Sequence, residues 1–454
     1  MLRSISRDLR WPALVDSRSA VVLGFLGQLR RTQWLPQEQL QSFQTRQLSA
    51  RLEHARLNTP FFADRLGSGV VTPLTARERL GQLPALQRDD LQSHAAQLFS
   101  NVPDDHGHIG ETRTSGSTGQ PVTVRCTQMA QSLRAAVTLR GHRWHSVDFG
   151  LGFAAIRGGI SRNGRNVDVL PDWGGVTRLL FNTAPSRAMD ISTPLEQQRD
   201  WLKSTRPAIL LTYPSNLAGL LQLMPAPWPG LTRVLSMSET LSPELRRAVS
   251  EQWGVPMHDT YSSEELGPIA IECSHGRYHC PEHLLVEVVR EDGQPCAAGE
   301  VGRVLVTDTW NFATGLLRYD IRDYAEASAV CECGRGLPTL NRIMGRVRNI
   351  MTLPDGRRFW PLFGLREYGE LAPMRQFQFV QTALDALTVR YVSDRALAEG
   401  EEAAVTERIR GQIGYPLRIT FERVEGSLNT PGSYKFEEFR SLLDMDPAGG
   451  RTAS

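Results

Sequence analysis

The chain has 454 residues, too many for one ordinary hydrophobic core, and this length predicts two or three folding units. Hydrophobic residues make up 41% and charged residues 22%, and 51 basic against 49 acidic residues leave a net charge of +2. That balance argues against a nucleic-acid partner, which needs a dense cationic surface. No apolar run reaches the roughly 18–20 residues that cross a bilayer, and no secretory signal is recognisable, so we predict a cytoplasmic protein without a membrane partner.

The first hundred residues predict a mainly helical segment. Apolar residues recur three to five positions apart from Leu40 to Leu57, which predicts one long helix starting near residue 35. Thr59–Pro60 ends the apolar pattern, because proline disfavours helix at the residue before it. A further helix is predicted to begin near residues 88–90, and another to cover about 128–145.

Residues 150–310 alternate between short apolar runs and helical stretches. Ala208–Tyr213 and Arg233–Met237 read as buried strands, and Pro243–Glu251 as a helix with Ser242 as its N-cap. This alternation predicts a largely parallel α/β sheet. Strands predicted at 284–290 and 302–307 belong to a more antiparallel region.

The pattern changes near Gly345. Strand-like alternation at 376–392, a charged helix at 396–413 and a strand at 415–424 predict a small α+β domain. The predicted fold class is therefore α/β, with mixed sheets in a large domain (1–344, mainly helical over 1–100). The small α+β domain (345–442) follows, and residues 443–454 are predicted to be a disordered tail.

A loop rich in serine, threonine and glycine, Thr114–Pro121, is the first candidate binding feature. Glycine lets the backbone approach a ligand closely, and hydroxyl and N–H groups suit phosphate oxygens. The loop lacks the Gly–Lys–Ser/Thr ending of a Walker A motif. On composition alone, an ordinary loop is the commoner interpretation.

Two further motifs carry carboxylates. In Tyr261–Gly267, Glu265 suits Mg²⁺, which prefers oxygen ligands, although acidic residues are also common at a solvated helix start. In Leu317–Asp323, the aspartates lie beside arginines and suit surface ion pairs. An aspartate also offers two acceptors for the two hydroxyl groups of a ribose.

Cysteines and histidines cluster in two places. Cys273 and His279 lie six residues apart, and Cys331 and Cys333 form a Cys–x–Cys pair about fifty residues later. Two such pairs can make one tetrahedral zinc site. On spacing alone, free thiols remain the alternative, and three neighbours compete as ligands: His275, Cys280 and His283.

Taken in chain order, the motifs Thr114–Pro121, Tyr261–Gly267 and Leu317–Asp323 resemble those of the adenylate-forming superfamily and, within it, the phenylacetate–CoA ligase family. The resemblance covers nearly the whole chain and implies ATP, Mg²⁺ and coenzyme A as ligands. The residues that it assigns to ATP or AMP are Thr114, Ser115, Gly116, Ser117, Thr118, Gly119, Ser238, Glu239, Tyr261, Asp323 and Arg346.

The same resemblance assigns catalysis to Lys435 and Glu265, with Glu265 as the magnesium ligand. Lys435 lies in the Thr430–Lys435 loop and is the only lysine of the small domain. The resemblance implies that this domain moves between the adenylation step and the acyl transfer to the thiol. Its charge suits the negative charge that develops as a carboxylate attacks the α-phosphate. The sequence departs from the family pattern at Ser262, Glu264, Arg348 and Tyr434.

The resemblance also implies a structural zinc ion on Cys273, His279, Cys331 and Cys333, since four protein ligands leave no open position. Aromatic and small residues beside tight turns suggest an acyl pocket, with core packing as an equally good interpretation. The pocket candidates are Tyr213, Ser215 and Trp173.

The predicted function is ATP-dependent activation of a small carboxylic acid, an aromatic one by resemblance, followed by acyl transfer to the thiol of coenzyme A. One alternative is an adenylating enzyme whose acceptor is a carrier-protein thiol or an amine. A second is a nucleotide-binding relative without catalysis. The family allows a homodimer.

Overall fold

A computed structural model describes residues 2–9, 11–113, 121–160, 166–346, 350–361, 363, 368–369, 371–426, 428 and 438–443. The chain divides into two compact units. The first contains Met1–Leu151, Leu170–Ser186 and His258–Ile343, and the second contains Gly152–Val169, Arg187–Met257 and Met344–Ser454. The division into domains 1–344 and 345–442 stays a prediction, and nearly all of the tail 443–454 lies outside the described residues.

Helices dominate the N-terminal part of the first unit. Asp16 caps α1 by accepting a hydrogen bond from the Ser19 amide at 3.0 Å. As predicted, the long helix α2 stops immediately before Thr59–Pro60. The helices of this unit are α1 (Ser17–Thr32), α2 (Gln37–Asn58), α3 (Pro60–Ala63), α4 (Ala76–Gln82), α5 (Arg88–Ser93), α6 (Ala95–Leu98), α7 (Gln128–Trp144) and α8 (Thr177–Leu180), with a 3₁₀ turn at Asp104–His106.

The strands of the first unit form an antiparallel hairpin and a larger sheet. The hairpin consists of β1 (Ile109–Arg113) and β2 (Thr123–Thr127). The sheet contains β8 (Met257–Ser263), β9 (Gly267–Glu272), β10 (Tyr278–His279), β11 (Leu284–Val289), β12 (Val301–Asp308), β13 (Tyr319–Ala327) and β14 (Thr339–Arg346). Its order is β11-β12-β13-β14-β10-β9-β8. The predicted antiparallel pairing of the strands near 284–290 and 302–307 is confirmed by β11 and β12.

Helix α7 packs directly on strand β9. A Cβ atom at Gly141 of α7 would lie only 2.8 Å from Cδ1 of Ile271, so this close approach requires glycine. Leu48 and Leu52 of α2 share a buried cluster with Val304 of β12. These contacts attach helices from the N-terminal part of the chain to the sheet that carries Tyr261, Glu265 and Asp323.

The second unit opens with a parallel α/β arrangement. Its strands are β3 (Phe153–Arg157), β4 (Val167–Leu170), β5 (Ser186–Asp190), β6 (Ile209–Thr212) and β7 (Arg233–Met237), in the order β7-β6-β3-β5-β4. The predicted parallel pairing is confirmed for β3, β6 and β7. The helices are α9 (Leu195–Thr205), α10 (Pro214–Leu223) and α11 (Pro243–Ala248), followed by a π-helical turn at Val249–Trp253. Ser242 caps α11, as predicted.

The C-terminal part of the second unit is the predicted α+β arrangement. Its elements are β15 (Met351–Thr352), β16 (Arg358–Phe359), β17 (Gln376–Ala383), β18 (Ala386–Val392), α12 (Glu399–Ile413), β19 (Arg418–Arg423) and β20 (Phe439–Ser441). The four-stranded sheet runs β19-β18-β17-β20, and Phe363 stacks on Phe379 of β17 at 3.9 Å between ring centroids. The α/β class with mixed sheets is thus confirmed.

Among the described residues, no helix combines the length and the apolar character that crossing a bilayer would require.

Candidate active site and metal centre

The two carboxylate motifs meet in the first unit. Tyr261 lies on β8 and Asp323 on β13, and the buried Tyr261 hydroxyl donates a hydrogen bond of 2.8 Å to Oδ2 of Asp323. Arg322, just before Asp323, has a φ of +64°, a strained value for a residue with a side chain. Its amide donates to Oδ1 of Asp320 at 2.8 Å, which holds that conformation. Two residues predicted separately as AMP contacts are therefore in direct contact.

Glu265 is buried at the turn between β8 and β9. Its Oε1 atom lies 3.2 Å from an Nη atom of Arg88, the first residue of α5. Burial raises the pKa of the neighbouring Tyr319 hydroxyl, and the Glu265 charge raises it too, whereas Arg88 opposes the shift. A buried carboxylate, a guanidinium and a protonated phenol therefore form one polar cluster beside the predicted magnesium ligand.

Arg88 was missed by the sequence analysis. It stands 177 residues from Glu265, and no local spacing relates the two. Backbone pairing brings them together: the Leu86 amide donates to the Arg318 carbonyl at 3.0 Å, and the Asp320 amide donates to the Leu86 carbonyl at 2.9 Å. The sequence feature that could have identified Arg88 is its position at the charged start of the helix predicted near residue 88.

In the second unit, candidate residues gather where parallel strands end. Ser238 and Glu239 follow β7, and Glu239 accepts a 2.9 Å hydrogen bond from the Ser215 amide in the first turn of α10. Tyr213, after β6, accepts one of 3.1 Å from the Gly158 amide after β3. Burial raises the pKa of the Tyr213 hydroxyl. The carboxyl ends of parallel strands are where open α/β sheets bind ligands.

Trp173 lies in the first unit, among aromatic side chains. Its ring packs edge-on against Phe149 at 5.3 Å between ring centroids, and its indole N–H donates to the Leu151 carbonyl at 3.0 Å. These contacts agree with the core-packing alternative. Its role in an acyl pocket stays a prediction.

The predicted phosphate loop Thr114–Gly119 and the catalytic candidate Lys435 lie outside the described residues, as do Arg348 and Tyr434. The described residues on either side of the loop belong to the hairpin, where Arg113 of β1 pairs with Thr123 of β2. Arg346 is the last residue of β14.

The four predicted zinc ligands come together in the first unit. One donor atom from each of Cys273, His279, Cys331 and Cys333 lies within 4.8 Å of all the others. The Sγ atoms of Cys273 and Cys331 are 3.7 Å apart, and Sγ of Cys333 is 3.3 Å from Nε2 of His279. Tetrahedral zinc with thiolate bonds of 2.3 Å places two sulfur atoms about 3.8 Å apart, so the donor set and its spacing fit zinc.

The surroundings of this cluster suit a bound cation. Burial lowers the pKa of His279 to about 4, helped by Arg335 and Arg140, so its ring is neutral at pH 7 and offers a lone pair. The His275 amide donates to Sγ of Cys273, as backbone N–H groups do around metal thiolates. The Arg335 guanidinium lies between the rings of Trp34 and Trp144, at 4.9 and 4.3 Å from their centroids.

The comparisons with known proteins agree with these motifs. No family model matches the chain. One curated relative is the phenylacetate-coenzyme A ligase of Escherichia coli (strain K12), which is 25% identical over 410 residues, covering 83% of this chain and 88% of the relative.

The chain is similar to the phenylacetate–CoA ligases among the adenylate-forming enzymes.

Solved structures share the fold of this chain. A 2-hydroxyisobutyryl-CoA ligase in the postadenylation state, in complex with 2-HIB-AMP, superposes with a TM-score of 0.69 over 91% of each chain at 17% identity. The anthranilate CoA ligase AuaEII, in complex with anthranoyl-AMP, gives a TM-score of 0.53 over 72% of this chain and 65% of that one at 15% identity. The predicted resemblance and the predicted fold are therefore confirmed.

Proposed function

We propose that this protein is an AMP-forming carboxylate–CoA ligase, which joins a carboxylic acid to AMP and then passes the acyl group to coenzyme A. The observation that carries the proposal is the hydrogen bond between Tyr261 and Asp323, beside the buried Glu265. This hydrogen bond connects two motifs whose residues the resemblance assigns to binding the same nucleotide. The named activity of the curated relative, a phenylacetate-coenzyme A ligase, supports the same reaction.

Each residue near the nucleotide has a proposed role. The Asp323 carboxylate, oriented by Tyr261, accepts hydrogen bonds from ribose hydroxyls. Glu265 contributes an oxygen ligand to Mg²⁺, and Arg88 orients that carboxylate. When bound, Mg²⁺ neutralises charge on the phosphate oxygens.

The proposed reaction has two steps. A carboxylate oxygen attacks the α-phosphorus, the bond to the bridging oxygen breaks, and pyrophosphate leaves. Lys435 offsets the charge that accumulates in this step, and the Thr114–Gly119 loop positions the leaving group. The thiolate sulfur of coenzyme A then attacks the acyl carbon, and AMP leaves with the bonding electrons.

The proposed ligands beyond ATP follow the same reasoning. A small carboxylic acid is the substrate, and an aromatic acid is favoured because the curated relative is named for phenylacetate. A zinc ion on the four-ligand cluster has a structural role, because no coordination position is left for a substrate. A carrier-protein acceptor and a homodimer stay predictions.

The proposal is tested by pyrophosphate release with ATP and Mg²⁺ over a panel of aryl, arylacetic and aliphatic acids, with and without coenzyme A. Lys203 and Lys435 are the two lysines of the sequence, so Lys203→Ala, on the exposed side of α9, is a matched control for Lys435→Ala. We expect release with one acid class, a CoA thioester as product, and a loss of at least 100-fold in Lys435→Ala alone.

Other outcomes decide between the alternatives. Pyrophosphate release without a thioester would favour a carrier-protein or amine acceptor. Nucleotide binding without pyrophosphate release for any acid would favour a relative that binds nucleotide but does not catalyse.

A further inference from the structure

A buried arginine on helix α7 contacts the turn that carries Glu265. One Nη atom of Arg134 donates to the Glu265 carbonyl oxygen at 3.0 Å and to Oδ2 of Asp308 at 2.9 Å. The Asp308 side chain is fully buried, and that of Arg134 is 14% exposed. The guanidinium therefore connects the end of β12 to the backbone of the predicted magnesium ligand.

The aliphatic part of the same side chain covers the end of the turn. Gly267 has a φ of +71°, and a Cβ atom there would lie 3.1 Å from Cδ of Arg134. The backbone conformation favours glycine at this place, and the arginine side chain lies closely over it. Within the turn, the Leu266 amide donates to Oγ of Ser263 at 3.1 Å. A hydrogen bond within the turn and the contact with Arg134 of α7 therefore both stabilise this turn.

Asp308 fixes the direction of Arg134. Its Oδ1 atom accepts hydrogen bonds from the amides of Trp310 at 2.9 Å and Asn311 at 3.0 Å, which leaves Oδ2 facing the arginine. Burial favours the neutral acid, yet the Arg134 charge and the Trp310 amide hold the pKa of Asp308 below its usual value. A buried carboxylate that stays ionised binds its guanidinium partner in one orientation.

We propose that Arg134, oriented by Asp308, is a positioning residue that sets where Glu265 presents its carboxylate to Mg²⁺·ATP. Mg²⁺ requires near-ideal octahedral geometry, so a small displacement of one ligand weakens metal binding. Anchoring the carbonyl of Glu265 restricts the backbone from which that carboxylate extends. The inference rests on the proposed function, since it concerns the nucleotide site of the ligase.

The test variant is Arg134→Met with Asp308→Asn, which removes both charges together and avoids leaving one buried and unpaired. A matched control is available on the same helix. Arg140 pairs with Glu282 at 2.7 Å and contacts no residue of the Glu265 turn. Arg140→Met with Glu282→Gln therefore removes a buried ion pair of equal charge from α7.

Binding of a non-hydrolysable ATP analogue is measured by calorimetry over a series of Mg²⁺ concentrations. We expect the Mg²⁺ concentration for half-maximal binding to rise at least tenfold in the Arg134/Asp308 variant. Analogue affinity without Mg²⁺ should stay within twofold of the native value. The Arg140/Glu282 variant should keep the native Mg²⁺ dependence, even where its melting temperature falls.

Two results would overturn the inference, and they are distinguishable. If the native protein binds the analogue and both variants share its Mg²⁺ dependence, the positioning role fails while the proposed function stands. If the native protein does not bind the analogue at any Mg²⁺ concentration, the proposed function fails, and the positioning role fails with it.

Discussion

Arginines from two different helices contact the side chain and the backbone of Glu265. Arg88 of α5 contacts its carboxylate, and Arg134 of α7 contacts its backbone carbonyl. Both arginines are largely buried, so their hydrogen bonds act in a medium of lower polarity than water. Substitution of either residue should therefore affect Glu265 more than a surface ion pair would.

Replacing Arg88 by methionine should leave Glu265 buried without its cation. We expect the free energy of unfolding to fall by about 2–3 kcal/mol, because an unpaired buried charge keeps its desolvation cost. Arg88 also orients that carboxylate toward Mg²⁺, so the rise in melting temperature on adding Mg²⁺ and an ATP analogue should be smaller than that of the native protein. Arg418→Met, which breaks an exposed pair with Asp385, should change the stability far less, because solvent screens that pair.

A second residue-scale prediction concerns His283, which burial keeps neutral. Burial lowers its pKa to about 4, and neither ring nitrogen has a hydrogen-bond partner in the described structure. Unfolding restores a pKa near 6.5, so the unfolded chain binds the extra proton between these values and stability falls as the pH falls. Between pH 7 and 5 this residue should cost about 2 kcal/mol.

Denaturant unfolding of His283→Gln at pH 7 and pH 5 checks this expectation. The variant should lose less stability on acidification than the native protein. His108→Gln is the control, because that imidazole is exposed and its surroundings change little on unfolding. Equal acid sensitivity of all three proteins would contradict the assignment.

At the scale of elements, sequence patterns were informative where cause and effect are local. The Thr59–Pro60 stop of α2 and the Ser242 cap of α11 depend on a few adjacent residues. Helix α1 was not predicted, because its buried face has only a few apolar residues, among them Val22 and Leu26. That face is recognisable only against the helix α7 that covers it.

In the candidate site, too, relationships between residues close in sequence were predictable and those between distant residues were not. The four metal-ligand candidates were predicted because each pair is close in sequence and cysteine pairs suggest few functions. The pair Arg134–Asp308 joins residues 174 positions apart, and Arg88–Glu265 joins residues 177 apart. Arginine and carboxylate are too common in the sequence for either pairing to be recognised before the strands are aligned.

A close backbone contact links the Cys331–Cys333 loop to the junction between α1 and α2. The Gly336 amide donates to the Gln33 carbonyl at 3.0 Å, and a Cβ atom at Gly336 would lie 1.9 Å from the Leu35 carbonyl oxygen. Gly336→Ala should force the two segments apart and lower stability by about 2 kcal/mol or more. Limited proteolysis should then cut near residues 33–37 faster than in the native protein.

The control for that substitution is Gly411→Ala. Gly411 lies inside α12, and apart from the surrounding helix backbone no heavy atom of the described residues lies within 4 Å of the position its Cβ would take. Alanine favours helix over glycine, so this variant should gain up to about 1 kcal/mol. Equal proteolysis rates at residues 33–37 in Gly336→Ala and native protein would show that the junction tolerates the extra methyl group.

At the scale of the whole molecule, zinc binding should contribute strongly to the melting temperature. We expect one zinc ion per chain, and near-complete loss of zinc in Cys331→Ser. The melting temperature of that variant should fall by about 10 °C, because metal binding contributes directly to folding free energy. Cys296→Ser should keep both the zinc and the stability, since that half-buried thiol lies outside the cluster. Full metal content in Cys331→Ser would exclude the proposed ligand set.

The N-terminal helices find their partners late in the chain, and this affects the order of events during synthesis. The Thr32 hydroxyl donates to Glu282, 250 residues further on, and the Gln44 side chain donates to the Leu284 carbonyl. At 5–20 residues per second, a ribosome needs roughly 10–50 s to make that stretch. During this interval the apolar face of α2 has no strand β11 or β12 to cover it. The nascent chain is thus exposed to aggregation until those strands have been made.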